Sequence, residues 1–237
     1  MAKNKIRIAA LICAYNEEKH IRKVVNQCLK QIKPVIVVND GSKDNTLKEL
    51  KKTKATIITY KKNQGKGAAL KKGFSYATKN KFDYLILLDA DGQHDPSEIP
   101  KFIKTIERET PDLIIGCRKK RHSDMPYIRR TTNFLSSLII STRGTYHDKD
   151  KKSGQRTLRF TYVKDTQSGY RAIKLDFLKK MTLKRKRYDL ESEMLLKMMK
   201  KHAKIKCISI KTIYKDETST IHPIKDTARF IRALKTE

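Results

Sequence analysis

The chain has 237 residues, with 55 Lys and Arg against 25 Asp and Glu, a formal net charge of +30, 38% hydrophobic residues and 34% charged residues. This composition excludes a collagen, a glycine-serine linker and a disulfide miniprotein, and apolar runs at regular intervals argue against simple disorder. The length suits one domain of ordinary size with a real core.

The chain opens on a few polar residues and runs straight into Ile6–Ile12, too short for a signal peptide or a membrane span. No run approaches the roughly 18 apolar residues a transmembrane helix needs. Short β-branched runs then alternate with amphipathic stretches. The predicted strands are Ile6–Ile12, Val35–Val38, Thr56–Thr59, Tyr84–Leu88 and Leu113–Ile115, and the predicted helices between them are Glu17–Lys30, Asn45–Lys52, Gly67–Thr78 and Pro96–Glu107. In the first helix Ile21, Val24, Val25 and Cys28 recur at helical spacing and leave Lys and Arg outside. Ser97 is the expected cap of the fourth. Such alternation predicts an α/β fold with a mostly parallel sheet covered on both faces, and sheets of this kind bind ligands at the carboxyl ends of their strands.

The second half changes character. Ile128–Ser141 reads as a helix, residues 142–160 as a flexible loop or a distorted hairpin, Glu191–Lys201 as a helix, Ile205–Tyr214 as a strand and Pro223–Leu234 as a closing helix. No linker divides the chain. The four cysteines lie far apart without a Cys-x-x-Cys pair, and Cys13 and Cys117 read as small core residues, which points to a reduced compartment and away from structural zinc. A charge of +30 attracts polyanions, and Arg118–Arg121, Arg129-Arg130 and Lys184–Arg187 are basic runs able to converge on phosphate. Aromatic residues make up only 7% of the chain and Trp is absent, which weakens the stacking platform of a single-strand nucleic-acid binder.

Three predicted strands end in polar residues on one edge: Ala14-Tyr15-Asn16-Glu17-Glu18, Val38-Asn39-Asp40-Gly41-Ser42 and Asp89-Ala90-Asp91-Gly92-Gln93-His94-Asp95. Asp89 and Asp91 repeat at the strand period and point the same way. Two carboxylates facing one point repel unless a cation lies between them, and oxygen ligands suit Mg2+ or Mn2+ on a diphosphate. The competing view is an acidic turn before a helix. Asp40 is placed to accept from a base or ribose, or to form an Asp-Gly turn. Asn63-Gln64-Gly65-Lys66-Gly67 lacks the Walker spacing and the third glycine of a dinucleotide fingerprint, and reads as a flexible turn opening a helix. Asp165-Thr166-Gln167-Ser168-Gly169-Tyr170-Arg171 is too polar for a core strand. Glu191 and Glu193 open a helix, where the dipole favours negative charge, and His94 reads as a polar loop histidine.

Taken in order, these segments resemble glycosyltransferase family two, and within it the dolichol-phosphate mannose synthase-like enzymes that glycosylate polyprenyl phosphates, over roughly residues 6 to 235. The resemblance implies a GT-A fold with a Rossmann-like sheet and a C-terminal acceptor-side extension. It implies a single domain over 1–237, with a nucleotide-sugar half at about 6–118, an acceptor-side half at about 119–237, and 142–160 as an inserted loop. It implies inverting transfer from GDP-mannose or a UDP-sugar to a polyprenyl or dolichyl phosphate. By position, Tyr15, Glu17, Val38, Asp40, Ala90 and Lys215 would hold the nucleotide sugar, and Asp89, Asp91 and Gln93 the Mg2+ or Mn2+. Arg118 would face phosphate, and Arg129 or Arg130 would meet the acceptor phosphate. Cys13 stands where the family usually has proline, and Asn39 where it commonly has aspartate.

A phosphate acceptor is already an oxyanion and needs orientation, which arginines supply. A hydroxyl acceptor would need a base, with Glu191 or Glu193 as candidates. Charge alone would fit a non-catalytic nucleic-acid-binding protein, but no nucleic-acid partner is expected. The expected setting is cytoplasmic, peripheral at the cytoplasmic face of an anionic membrane, docked through Ile128–Ser141 and the closing helix with its Lys225, Arg229 and Arg232.

Overall fold

The computed structural model describes residues 5–118, 146–149, 156–159, 163, 165–186, 189–211 and 213. The expected acceptor arginines Arg129 and Arg130, Lys215, and the helices at Ile128–Ser141 and Pro223–Leu234 lie outside these residues.

The elements follow in the order β1 (Ile8–Ala14), α1 (Ile21–Gln31), β2 (Val35–Asn39), α2 (Thr46–Leu50), β3 (Thr56–Thr59), α3 (Lys66–Lys79), β4 (Tyr84–Asp89), a short 3-10 turn (Pro96–Glu98), α4 (Ile99–Glu109), β5 (Leu113–Arg118), β6 (Tyr146–Lys149), β7 (Arg156–Arg159), β8 (Arg171–Lys174), α5 (Leu175–Leu178), α6 (Asp189–Lys200) and β9 (Ile205–Ile210). Seven strands form one sheet in the order β3-β2-β1-β4-β8-β5-β9. All pairings in it are parallel except those of β8, which runs antiparallel between β4 and β5. The strands β6 and β7 make a separate antiparallel pair inside residues 142–160, so the hairpin expectation there holds at the level of the backbone.

The strand period sorts the core into two layers. Ala9, Leu11, Ile36, Val38, Leu85 and Leu87 face α3, α5 and α6. Ala10, Ile12, Val35, Val37, Ile86 and Leu88 face α1, α2 and α4. Both faces are covered, which is why the strand sequences are continuous apolar runs. Helix α3 lies close to β1, because a Cβ on Gly73 would come within 2.5 Å of the Leu11 side chain.

Several boundaries move for local reasons. The helix expected from Glu17 begins at Ile21; before it, Glu17 and Glu18 donate their backbone N–H groups to Thr46 Oγ1 (2.7 Å) and Asp44 Oδ2 (3.1 Å). The cap before α4 is Asp95, whose Oδ1 accepts from Ser97 N at 2.9 Å, so Ser97 is the residue being capped. The segment expected to be too polar for a core strand, 165–171, contributes only its last residue, Arg171, to β8. Cys117 and Cys207 lie on neighbouring strands β5 and β9 and form a disulfide with a Cα–Cα distance of 5.9 Å. The two cysteines, far apart in sequence by 90 residues, are brought together by the pairing of β5 with β9.

Candidate active site at the carboxyl edge

The ends of β1, β2, β4 and β5 reach the same sheet edge, as parallel strands must. Because β8 is antiparallel, its beginning lies at this edge too and delivers residues 165–171 to it. The first two loops are stitched together: Asn16 N donates to Ser42 Oγ (3.0 Å), Lys43 N to Asn16 Oδ1 (2.9 Å) and Asn45 N to Glu18 Oε2 (2.8 Å). Tyr15 stands at the rim with 42% of its surface exposed. Glu17 pairs with His20 at 3.3 Å.

Asp40, at the end of β2, is buried. Its carboxylate accepts from Asn63 Nδ2 (2.9 Å), Gln64 N (2.9 Å) and Gly65 N (2.8 Å). Gly41 has φ +67°, and a Cβ there would meet the Lys62 carbonyl carbon at 2.5 Å. The Asp40 oxygens hold the 63–65 loop, which fixes the start of α3. The Val38 side chain lies in the core below, and Ala90 is buried, so neither presents its side chain to a ligand.

The strand period turns Asp89 toward α3, on the same side as Leu85 and Leu87. Lys66, the first residue of α3, places Nζ 2.5 Å from Asp89 Oδ1 and 3.5 Å from Glu191 Oε2. Burial opposes the Asp89 charge, but the Lys66 ammonium outweighs it and holds this carboxyl well below its usual range. Burial likewise opposes the Lys66 charge, and Asp89 and Glu191 more than offset it, so the ammonium is held more tightly than usual. Asp91 behaves in the opposite way. Burial first, then the neighbouring Asp89 charge, push its carboxyl up. Its Oδ1 accepts from Gln93 N at 2.8 Å, and no ion pair to it occurs among the described residues. The two aspartates therefore differ in charge compensation. No group of three or more His, Cys, Asp or Glu side chains among the described residues is arranged to hold a metal ion.

His94 is packed into the site. Its Nδ1 accepts from Asp89 N at 3.0 Å, so its proton is on Nε2, which lies 3.8 Å from Asp89 Oδ2. Burial pushes the imidazole toward its neutral form, against the pull of Asp89 and Asp91. The ring stacks on Tyr170 (5.0 Å between centroids), and Tyr170 stacks on Phe102 (4.6 Å).

Residues 165–171, too polar in sequence for a core strand, form the hub of the site. Asp165 grips Arg118 at two points, Nε–Oδ2 2.8 Å and Nη2–Oδ1 2.6 Å, and leaves the arginine side chain 27% exposed. A Cβ on Gly169 would come within 2.8 Å of Asp89 Oδ2. The buried Arg171 guanidinium donates to the carbonyls of Thr166 (2.6 Å), Ser168 (2.7 Å) and Glu191 (3.0 Å). Glu191 thus stands at the site beside Lys66. Glu193 faces inward and is fully buried; its oxygens accept from Lys184 N (2.8 Å), Arg185 N (2.9 Å) and Lys197 Nζ (2.6 Å), which corrects its candidacy as a base. Lys66 and His94 were the missed site residues, and the signal for Lys66 was a lone lysine between two glycines at a helix start.

The family model described as Glycosyl transferase family 2 matches residues 9–181. An uncharacterised protein of Methanocaldococcus jannaschii is 38% identical over 88% of this chain and 89% of its own. The UDP-N-acetylglucosamine–dolichyl-phosphate N-acetylglucosaminyltransferase of Methanococcus voltae is 34% identical over 87% of this chain and 86% of its own. Among solved structures, glucosyl-3-phosphoglycerate synthase from Mycobacterium tuberculosis in complex with UDP superposes with a TM-score of 0.74 over 99% of this chain and 81% of its own, at 17% identity. That likeness shows the fold, which is GT-A as the resemblance implied.

Proposed function

The chain belongs to glycosyl transferase family 2 and is a glycosyltransferase, and on that premise we propose that it moves a sugar from a nucleotide-diphosphate sugar to a polyprenyl phosphate by inverting transfer. The observation that carries this reading is the pair at the end of β4, in which Asp89 is paired with Lys66 while Asp91 has no ion-pair partner among the described residues and is pushed up by burial and by Asp89. That imbalance fits a divalent cation: Asp91, Gln93 and the outer side of Asp89 would hold it, and Mg2+ or Mn2+ there would stabilise the leaving diphosphate as a Lewis acid. The Mycobacterium tuberculosis enzyme has also been crystallised with Mn2+ and UDP, which supports the choice.

The chain's own residues supply the rest. Tyr15 offers an exposed ring for the base, with Glu17 beside it. Arg118, oriented by Asp165, is aimed by a fixed fork and suits a phosphate oxygen. Lys66 keeps Asp89 ionised and adds positive charge where the diphosphate leaves. The acceptor phosphate needs no base, and Arg129 and Arg130 remain the proposed contacts to it, with Lys215 proposed for the donor. The nucleotide-sugar half is then about 6–118 and the acceptor-side half about 119–237. The printed activity of the Methanococcus voltae relative favours a UDP-sugar and a dolichyl phosphate as the first pair to test. No helix among the described residues is long and apolar enough to cross a membrane, so the enzyme would meet its lipid from the surface. The cytoplasmic face is the proposed side, since nucleotide sugars are made there.

Purified protein with Mn2+ or Mg2+, a panel of radiolabelled nucleotide sugars and a polyprenyl phosphate tests the reading, with lipid-extractable label as readout. Transfer only to a soluble glycan would replace it with the hydroxyl-acceptor reading, in which Glu191 is the base. Charge reversal at Arg129 and Arg130 together should raise the acceptor KM far more than the donor KM.

A further inference from the structure

The basic run Lys184–Arg187 is left without a role in this chemistry, and the structure gives its described part a definite shape. After α5 the chain extends alongside α6, and residues 181–186 alternate strictly: Met181, Leu183 and Arg185 turn inward, Thr182, Lys184 and Lys186 outward. Met181 and Leu183 pack on the core. The segment is pinned at two places along α6 and at one on α3. Lys197 Nζ donates to Thr182 O (2.8 Å), the buried Glu193 carboxylate takes the N–H groups of Lys184 and Arg185, and Lys186 O accepts from Ala68 N (3.0 Å) in the first turn of α3. A groove of about 310 Å³ lies between this ledge and the end of α6, walled by Lys180, Met181, Thr182, Lys184, Lys200 and Lys201. Its lining is mostly apolar although five of its residues, Lys197 among them, are lysines, as long lysine stems allow. Lys180, Lys184 and Lys201 have no carboxylate partner among the described residues, while Glu193 is already consumed and Asp176 is taken by Lys179 at 2.8 Å.

We propose that this ledge and groove dock the enzyme on an anionic phospholipid surface. Three features select a bilayer over a nucleic acid. The lysines are flexible point charges on apolar stems, suited to snorkelling among headgroups. Among the described residues no aromatic ring lines the groove to stack a base. The ledge also ends at the catalytic edge, because Lys186 is bonded to Ala68, two residues beyond Lys66. A membrane lying along α6, about 18 Å long at 1.5 Å per residue, would meet the rim of the site where a lipid-borne acceptor arrives. The inference deepens the polyprenyl-phosphate reading and rests on it for its purpose, though its test does not.

Vesicles of phosphatidylglycerol with phosphatidylcholine, free of polyprenyl phosphate, should bind the protein at low salt and release it at high salt. Vesicles of phosphatidylcholine alone should bind it at least about tenfold less. Replacing Lys180, Lys184, Lys200 and Lys201 with Gln should weaken anionic-vesicle binding by roughly a hundredfold, with the melting temperature unchanged because all four are exposed. A charge-matched control, Lys23, Lys30, Lys51 and Lys104 to Gln on the opposite face, should weaken it by no more than about threefold. Equal losses in the two quadruple variants, or undiminished binding by the first, would overturn the proposal, as would tight binding to RNA with none to anionic vesicles. The ledge variant should keep full transfer to a short, water-soluble polyprenyl phosphate; loss there would mean that these lysines serve the site instead. Oriented vesicle binding by a protein that transfers no sugar to any polyprenyl phosphate would leave the docking standing and remove the acceptor reading.

Discussion

Asp40 and Asp91 both stand where a parallel strand gives way to a loop on the same edge of the sheet, and they do opposite things. Asp40 is buried with three donors on its oxygens, two of them backbone N–H groups of a loop that must be held for α3 to begin. Asp91 is half-buried, accepts from one N–H and is pushed toward its neutral form by burial and by Asp89. A carboxylate that holds a loop through three donors is architecture. One that is desolvated beside another negative charge is a place where a cation lowers the free energy. Strand-end position alone does not separate the two; the partners do.

The strongest way to break this contrast is Asp91→Ala. Transfer should fall at least about a hundredfold while the melting temperature stays within a few degrees, since a half-buried side chain that accepts from one N–H carries little of the core. Mn2+ should raise the melting temperature of the parent protein and do so much less in this variant. Full activity of Asp91→Ala in excess EDTA would end the metal reading. Asp40→Ala should do the reverse. It strands three donors and should cost about 2–4 kcal/mol in urea unfolding, with catalysis per folded molecule much less affected.

Lys66→Met sharpens the comparison by giving Asp89 the imbalance that Asp91 has. Removing one partner of this pair should cost about 1–3 kcal/mol, less than for a fully buried pair because Asp89 keeps 30% of its side-chain exposure. The sign with pH is fixed. A carboxyl held down from 3.8 to about 2 contributes stability above its unfolded value and loses it as pH falls from 3.8 through about 2. That acid-side loss should flatten in the variant, and an unchanged pH profile of stability would contradict the pairing.

Smaller effects are expected further from the charges. Gly169→Ala drives a Cβ against Asp89 Oδ2 and should lower activity about tenfold with little loss of stability. Asp95→Ala should cost about 1 kcal/mol as a lost cap, and Ser97→Ala next to nothing. The opposite ranking of those two would return the cap to Ser97.

Much of the nucleotide half was legible because its signals are local. Strand runs such as Val35–Val38 and the helical spacing of Ile21, Val24, Val25 and Cys28 need no partner to be read, and the parity of Asp89 with Leu85 and Leu87 follows from the pleat. The segment 165–171 was not legible as architecture, because its polar residues are satisfied from far away: Asp165 by Arg118, and the Thr166 and Ser168 carbonyls by Arg171. Glu191 and Glu193 looked alike at a helix start. The structure turns one to Lys66 and the other to the 184–185 backbone, a difference set by the ledge packed on α6.

The sequence by itself determined the α/β alternation, the edge on which function gathers and the family, because strand period, helix period and ordered motifs are properties of the chain. Only the tertiary structure decided that β8 enters the sheet antiparallel and so brings residues 165–171 to the catalytic edge. It also decided that Lys66 pairs with Asp89 while Asp91 has no ion-pair partner among the described residues, and that Cys117 meets Cys207. These outcomes depend on which distant groups share a desolvated space, and charge compensation, unlike periodicity, is a property of that space.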